Sequence, residues 1–407
     1  MPEIWLRYGG TDVVLDIRFE NLSSHISSPL PLMPDEQVRA ALDSSSSIPV
    51  TDNMLVIALA SSKAVARTVA FISDAARAKG LPATAITVDV PSRAAGALRA
   101  NLASIVAAAP GPQAVAPAGT TAAVSSAVER LVPSINRIDY QSLEERIKKF
   151  QSVVIVSQAG FDPLFGFSGA PPALVRALFP EKMAEAFSAR KEGNVPAPGE
   201  QGEPLKIAMS AIQNVSATAV ELVANGAGGI AGVHVGTIHE AFSKAIGQLA
   251  ASATVEADHV RSAIISAGSE AGTHATLAGA LYSLWNAIHV VRDGGSAVLL
   301  AECREGIGGG ALQAFVEGRL KPEQLAKNMT TQYVDGLEHL LYIQELRQKY
   351  ELGLVSSLPH YYASAKLGFA TYAGAKDALE KLLARNGKGH KALAVSDADI
   401  TLLRSRD

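Results

Sequence analysis

Short, wholly apolar runs alternate along this chain with longer stretches whose apolar positions recur every three or four residues. Met54 to Leu59, Ala85 to Val90 and Val153 to Val156 are such runs, each the length of a strand buried on both faces. Ala64 to Lys79 carries the helical period, with Ser61 and Ser62 as N-cap candidates before it and Gly80 after it. Ile4 to Tyr8 and Val13 to Ile17 flank Gly9-Gly10 as the arms of a hairpin do. Pro34 precedes a short helix whose first turn is acidic, at Asp35 and Glu36. A strand at Ala114 to Ala116, a helix over Thr120 to Leu131 and a charged helix over Leu143 to Phe150 complete this first set.

A second set follows Ala257. It comprises a helix over Thr276 to Val291, a strand at Ser296 to Ala301, a helix from Gln324, a strand at Leu352 to Val355, a helix over Tyr372 to Leu383 and a strand at Lys391 to Val395. The β-α-β-α rhythm predicts an α/β protein built on parallel sheets. The change of composition and spacing near Ala251 to Asp258 divides it into an N-terminal domain, 1–255, and a C-terminal domain, 256–407. Lys191 to Glu203 is a polar loop rich in proline and glycine.

Composition narrows the function classes. The 407 residues carry a formal net charge of −3, so the cationic surface that nucleic acid demands is not expected. Charged residues make up 18% and mean hydropathy is positive, which suits well-buried globular domains rather than disorder. The apolar tract from Leu102 to Val132 is alanine-rich and broken by Pro110, Pro112 and Pro117, so no membrane span is expected. Met1 to Trp5 lacks the basic start of a secretory signal, and a cytoplasmic location is expected. Cys303, the single cysteine, follows an apolar strand and reads as a packed residue. Trp5 and Trp285 read as core.

The segment from Gly294 to Phe315, GGSAVLLAECREGIGGGALQAF, is the most informative in the chain. An apolar strand leads to Gly308, Gly309 and Gly310, and then to a helix start. Glycine is required where φ is positive or a ligand approaches closely, and the free N–H groups of such a turn suit an anion. A plain tight turn is the competing explanation.

Three segments in order resemble the lactate racemase superfamily, whose members use a nickel-pincer nucleotide. They are Ser157 to Gly169 (SQAGFDPLFGFSG), the Gly294 to Phe315 segment with its Arg304-Glu305-Gly306-Ile307-Gly308-Gly309 turn, and the closing Ala375 to Val395. The resemblance covers nearly the whole chain. It implies a two-domain fold, each domain a mostly parallel sheet flanked by helices, with a cleft between them. It also implies hydride removal from a 2-hydroxy acid and its return to either face. That chemistry takes a histidine base, donors for the carboxylate, a lysine that bonds the cofactor and a histidine that ligates nickel.

The chain departs from that pattern at the residues that carry the chemistry. No histidine lies between His25 and His234. Ala60-Ser61-Ser62-Lys63 stands where the family has an Asp-His-Thr-Arg turn, and Pro91-Ser92-Arg93 where it has a His-Arg pair. Asp162 takes the approximate place of a histidine ahead of the Gly-Phe-Ser-Gly turn. Ala170-Pro171-Pro172 occupies the place of the cofactor lysine, with Lys182 too far along, and Phe187 falls near the nickel-ligating histidine. Ala275 and Tyr282 match a family glutamine and lysine. Which cofactor the chain uses, if any, is therefore not given by the resemblance.

The remaining candidates are His274 and Asp162 for acid–base work, and Lys63, Arg93, Ser168, Arg304, Gly308, Gly309, Gly310 and Tyr333 for a substrate or anion. His234 and His239 are five apart, off the i, i+4 spacing of a helical metal pair, and no metal site is expected. Two expectations follow. One is a racemase- or epimerase-like isomerase with altered or lost pincer chemistry. The other is a binding protein that holds a small carboxylate- or phosphate-bearing metabolite in the cleft without turnover.

Overall fold

The structure, a computed structural model, describes residues 3–44, 48–91, 94–108, 128, 132, 134–138, 143–190, 196–268, 275–321 and 333–406. Arg93, His274, the Ala114 to Ala116 strand, the Gln324 helix and all but Val128 of the Thr120 to Leu131 helix lie outside the described residues.

Two sheets organise the chain. The first contains β4 (Met54–Ala58), β5 (Ile86–Val90), β6 (Ile135–Arg137), β7 (Ser152–Asp162), β9 (Thr218–Ala224) and β10 (Ile230–Thr237). They lie in the order β10-β9-β7-β4-β5-β6, parallel except for β10. β8 (Gly166–Ser168) folds back antiparallel on the end of β7. The second sheet has the order β15-β14-β13-β12-β16-β3, all parallel. Its strands are β3 (Leu22–Ile26), β12 (Val260–Ser266), β13 (Val291–Leu300), β14 (Glu351–Val355), β15 (Ala370–Thr371) and β16 (Ala392–Val395).

Helices cover both faces, which is why the strands read as continuous apolar runs. In β4, Met54, Val56 and Ala58 pack towards α2 (Lys63–Ala78), following α1 (Asp35–Ser44) in the chain, while Leu55 and Ile57 pack on the opposite face. Ser62 caps α2: its hydroxyl accepts the Val65 N–H at 3.2 Å, an interaction contributing about 1 kcal/mol. The chain passes through β4, β5 and β6 in one direction and then returns to place β7 on the other side of β4. Open α/β sheets take their ligands at the carboxyl ends of strands beside such a reversal.

The first 26 residues belong with the second sheet. The hairpin of β1 (Glu3–Tyr8) and β2 (Thr11–Asp16) lays Ile4, Leu6 and Leu15 against Ile264, Val298 and Leu300, and β3 pairs with β16. The polypeptide thus starts in the second lobe, builds the first and returns. It crosses back through β11 (Thr254–Ala257), the segment where the sequence places its 255/256 division; β11 pairs with β17 (Leu402–Ser405). Trp285 is fully buried as expected. Trp5 is not: it projects from the outer face of the hairpin, 57% exposed, because β1 alternates and only Ile4 and Leu6 face inward.

Candidate functional site

Between the lobes lies a cavity of about 290 Å³. The first lobe contributes Gln158, Asp162 and Ser168 from β7 and β8, and Arg176 from the helix that follows them. The second contributes Tyr282 and Asp399. Phe161, Pro172 and Ile400 supply apolar wall. Counting in chain order, α3 is Ala95–Ala108, α4 is Leu143–Ile147, and α5 is Ala170–Leu178, the helix that carries Arg176.

Each lining group is placed by local chemistry. β7 outruns the sheet edge and turns at Pro163, so Asp162 lands at the tip. Its Oδ1 accepts the backbone N–H groups of Leu164 and Phe165, both at 2.8 Å, which fixes the carboxylate. Gly160 faces Ser168 across the β7–β8 pair, and a Cβ there would lie 2.8 Å from the Ser168 hydroxyl oxygen. In the second lobe, Asn286 of α9 (Leu277–Ala287; α6 is Pro180–Ser188, α7 Glu203–Ala211, α8 Ile238–Ala253) donates to the Ala398 carbonyl at 2.9 Å and holds the loop that presents Asp399.

Arg176 is the centre of charge. Its Nη2 donates to Asp162 Oδ2 at 2.9 Å and Oδ1 at 3.3 Å; its Nη1 donates to Glu338 Oε1 at 2.6 Å and to the Tyr333 hydroxyl at 3.3 Å. Tyr333 in turn donates to Glu338 Oε2 at 2.8 Å. Glu338 belongs to α11 (Leu337–Leu346), which follows α10 (Gly310–Val316), so the cluster ties the lobes together. Both carboxylates are almost wholly buried, and Arg176 is only 18% exposed. Burial opposes the charge on Arg176, but Asp162 and Glu338 outweigh it and hold its pKa well above the ordinary value. Burial likewise pushes Glu338 upward, and Arg176 reverses the shift, leaving it below the usual carboxylate value. Beside them His339 is pushed down by burial and accepts the Trp285 indole N–H on Nδ1 at 2.9 Å, the arrangement of a neutral imidazole.

Below α5 sits Glu221 of β9, completely buried. Its Oε2 accepts from the Ser157 hydroxyl at 2.7 Å and its Oε1 from the Ala170 N–H at 2.5 Å, so it caps the helix that carries Arg176. Burial raises its pKa to about 7 against the lowering effect of those hydrogen bonds.

Of the residues named from sequence, Asp162 and Ser168 line the cavity, and Tyr333 joins them through Arg176. Lys63 stands exposed at the start of α2, at the carboxyl end of β4 and outside the cavity lining. Arg304 and Glu305 are largely exposed and lie 4.0 Å apart. The glycine run does adopt positive φ throughout, at 104°, 79° and 60°. Its tight neighbours are protein: a Cβ on Gly308 would meet Thr276 and Ala278, and one on Gly310 would overlap the Asp335 carbonyl oxygen. None of the three lines the cavity. Cys303 is buried, and burial, helped by Glu302, pushes its thiol up to about 12, which keeps it protonated.

Sequence reasoning overlooked Arg176, Glu338, Gln158 and Asp399. The first two had a signal: each is a lone charge within an apolar helical stretch, APPALVRAL and LEHLLYI. A larger hollow of about 440 Å³ lies between α1 and α2, lined by Arg39, Phe71 and Asp74. Arg39 stacks on Phe71 at 4.1 Å and bonds Asp74, and no strand end feeds the space. The interlobe cavity, at the carboxyl end of β7 and lined by polar groups from both lobes, is therefore the candidate site.

The positions matched to the pincer nucleotide do not fit that group. Pro171 and Pro172 are buried in the first turn of α5, and a proline ring offers no amine for the link. Phe187 is buried with its ring 5.6 Å from that of Tyr333 and has no lone pair for nickel. Lys182 is exposed on α6 and paired with Glu185 at 2.7 Å. Among the described residues, no three His, Cys, Asp or Glu side chains are grouped so as to hold a metal ion, and no helix is long and apolar enough to cross a membrane.

No protein-family model and no curated protein matches the sequence. Solved structures do. The chain is similar to the lactate racemase apoprotein from Thermoanaerobacterium thermosaccharolyticum, with a TM-score of 0.72 at 15% identity over 99% of this chain and 100% of that one. It is also similar to a structural-genomics protein from Thermotoga maritima, with a TM-score of 0.59 at 9% identity over 94% of this chain and 100% of that one. At such identities the likeness is one of architecture: the chain has a lactate-racemase-like α/β fold, with parallel sheets flanked by helices.

Proposed function

We propose that this chain binds a small polar metabolite in the interlobe cavity, on a lactate-racemase-like scaffold that has lost the nickel-pincer reaction. The observation that carries the reading is the Arg176 cluster. Asp162, standing where the resemblance implies a histidine, is held by Arg176 and two backbone N–H groups in the wall of the interlobe cavity. A carboxylate so fixed orients a ligand by accepting hydrogen bonds from it. The departure of the lysine and both histidines from the implied pattern supports the same reading.

An isomerase with altered chemistry is the second reading. Asp162, Ser168 and the Tyr282 hydroxyl line one cavity, as acid–base partners would. The test is intact mass and nickel content of the protein produced in cells that synthesise the pincer nucleotide, together with racemisation assays on D- and L-lactate. The binding reading expects the unmodified mass, substoichiometric nickel and no racemisation. A covalent adduct, stoichiometric nickel or turnover would overturn it.

A further inference from the structure

We infer that the cavity selects a neutral or positively charged ligand, rich in hydroxyl or ammonium donors, and rejects the small anion that the sequence leads one to expect. The inference rests on the cavity being a ligand site. Among the described residues, two carboxyl side chains, Asp162 and Asp399, and one guanidinium, Arg176, line it. The guanidinium is the group an anionic substrate would need, and both of its terminal nitrogens already point at protein carboxylates. Nη2 serves both oxygens of Asp162, and Nη1 serves Glu338 and the Tyr333 hydroxyl. An entering carboxylate would have to displace one of these buried anions or sit beside Asp162 and Asp399. Displacement would leave a buried carboxylate without its partner, which folded proteins tolerate poorly. Apposition sets like charges together against the two carboxyl groups of the wall.

The rest of the lining asks for a donor. The Oε1 atom of Gln158 is buried and has no hydrogen-bond partner, although buried acceptors are almost always satisfied. It lies on β7, four residues before Asp162. Ser168 and Tyr282 add hydroxyls that both donate and accept, and burial keeps the Tyr282 phenol protonated at neutral pH. A ligand with several hydroxyls, or with hydroxyls and an ammonium group, would satisfy Gln158 and meet the carboxylates with its donors. The volume, about 290 Å³, stands at the small end of metabolite pockets and suits one ring rather than a dinucleotide.

Three sugars of one ring size and different charge test this: glucosamine, glucose and glucuronate, each titrated at millimolar concentration into the full chain and followed by ligand-observed NMR. Wild type should bind glucosamine most tightly, glucose more weakly and glucuronate least. Gln158→Leu should weaken glucosamine about tenfold by removing the acceptor. Glu338→Gln should gain glucuronate affinity by removing one of the two anions that neutralise the guanidinium, and Tyr333→Phe, which leaves both carboxylates in place, should not. Tightest binding of glucuronate to wild type would overturn the ligand class while leaving the cavity as a site. No binding by any of the three, or binding that is indifferent to Gln158→Leu, would overturn the cavity reading itself.

Discussion

The two strand–turn–helix segments in this chain look alike in sequence and do opposite things. The first runs from β7 through Gly169 into α5; the second runs from β13 through Gly308 to Gly310 into α10. Both turns contain glycine at positive φ, and both launch a helix. In both, the space beside the glycine is filled by the protein: a Cβ on Gly169 would lie 2.7 Å from the Phe242 ring, and one on Gly310 would overlap the Asp335 carbonyl oxygen; the difference lies in what surrounds the turn. In the second, the surroundings are backbone hydrogen bonds. Leu277 and Ala278 donate their N–H groups to the Gly306 and Ile307 carbonyls, and Ala311 donates to Asp335. In the first, the turn is braced from beneath by Glu221 and sends Arg176 up between two carboxylates beside an open cavity. Glycine spacing therefore reports a backbone constraint, and only the surroundings decide whether that constraint serves a ligand or packing.

The contrast breaks first at Arg176. Arg176→Leu would strand Asp162 and Glu338 as buried, unpaired anions, and we expect a loss of about 3–5 kcal/mol in urea unfolding. A loss near that of an ordinary surface change would mean the cluster is not the anchor of the first segment. Glu221 gives the next effect, visible as a pH dependence. Its carboxyl rises from the ordinary 4.5 to about 7 in the fold, so it binds its proton more tightly folded than unfolded. The stability it contributes is full below about pH 4.5 and is lost as pH climbs through about 7, a change on the order of 3 kcal/mol. Glu221→Gln should flatten the difference between unfolding free energies measured at pH 5 and pH 8; an unchanged difference would assign it to other groups.

The second segment should be sensitive through its backbone alone. Gly310→Ala combines positive φ with overlap on the Asp335 carbonyl, and about 2–3 kcal/mol should be lost without change in ligand binding. Gly306→Ala, at φ 85° with no atom near the added methyl, should cost only about 1 kcal/mol. Equal losses at the two positions, read from denaturation midpoints, would show that the Asp335 contact adds nothing to the strain.

The fold was more legible than the site. β4, β5, β14 and β16 lie where their apolar runs predict, and Ser62 caps α2 as its place before the helical period suggests. β7 is longer than its apolar run, because it continues past Val156 through Ser157, Gln158 and Gly160, small and polar residues outside the run. That extension is what delivers Asp162 to the cavity. Asp162, Ser168 and Tyr333 were reachable through the motif that contains or resembles them. The signal at Arg176 did not decide its role, since a single charge in an apolar helix has the same appearance whether it snorkels to water or pairs in the interior.

By itself the sequence determined what depends on neighbours along the chain: strand and helix periods, the Ser62 cap, and glycine where φ must be positive at Gly308 to Gly310. Tertiary structure alone decided that β3 completes the second sheet, that Arg176 meets Asp162 at fourteen and Glu338 at 162 positions' distance, and that the guanidinium in the cavity wall is already matched. The physical reason is that a charge can enter the interior only with a partner. No local pattern records where along the chain that partner lies.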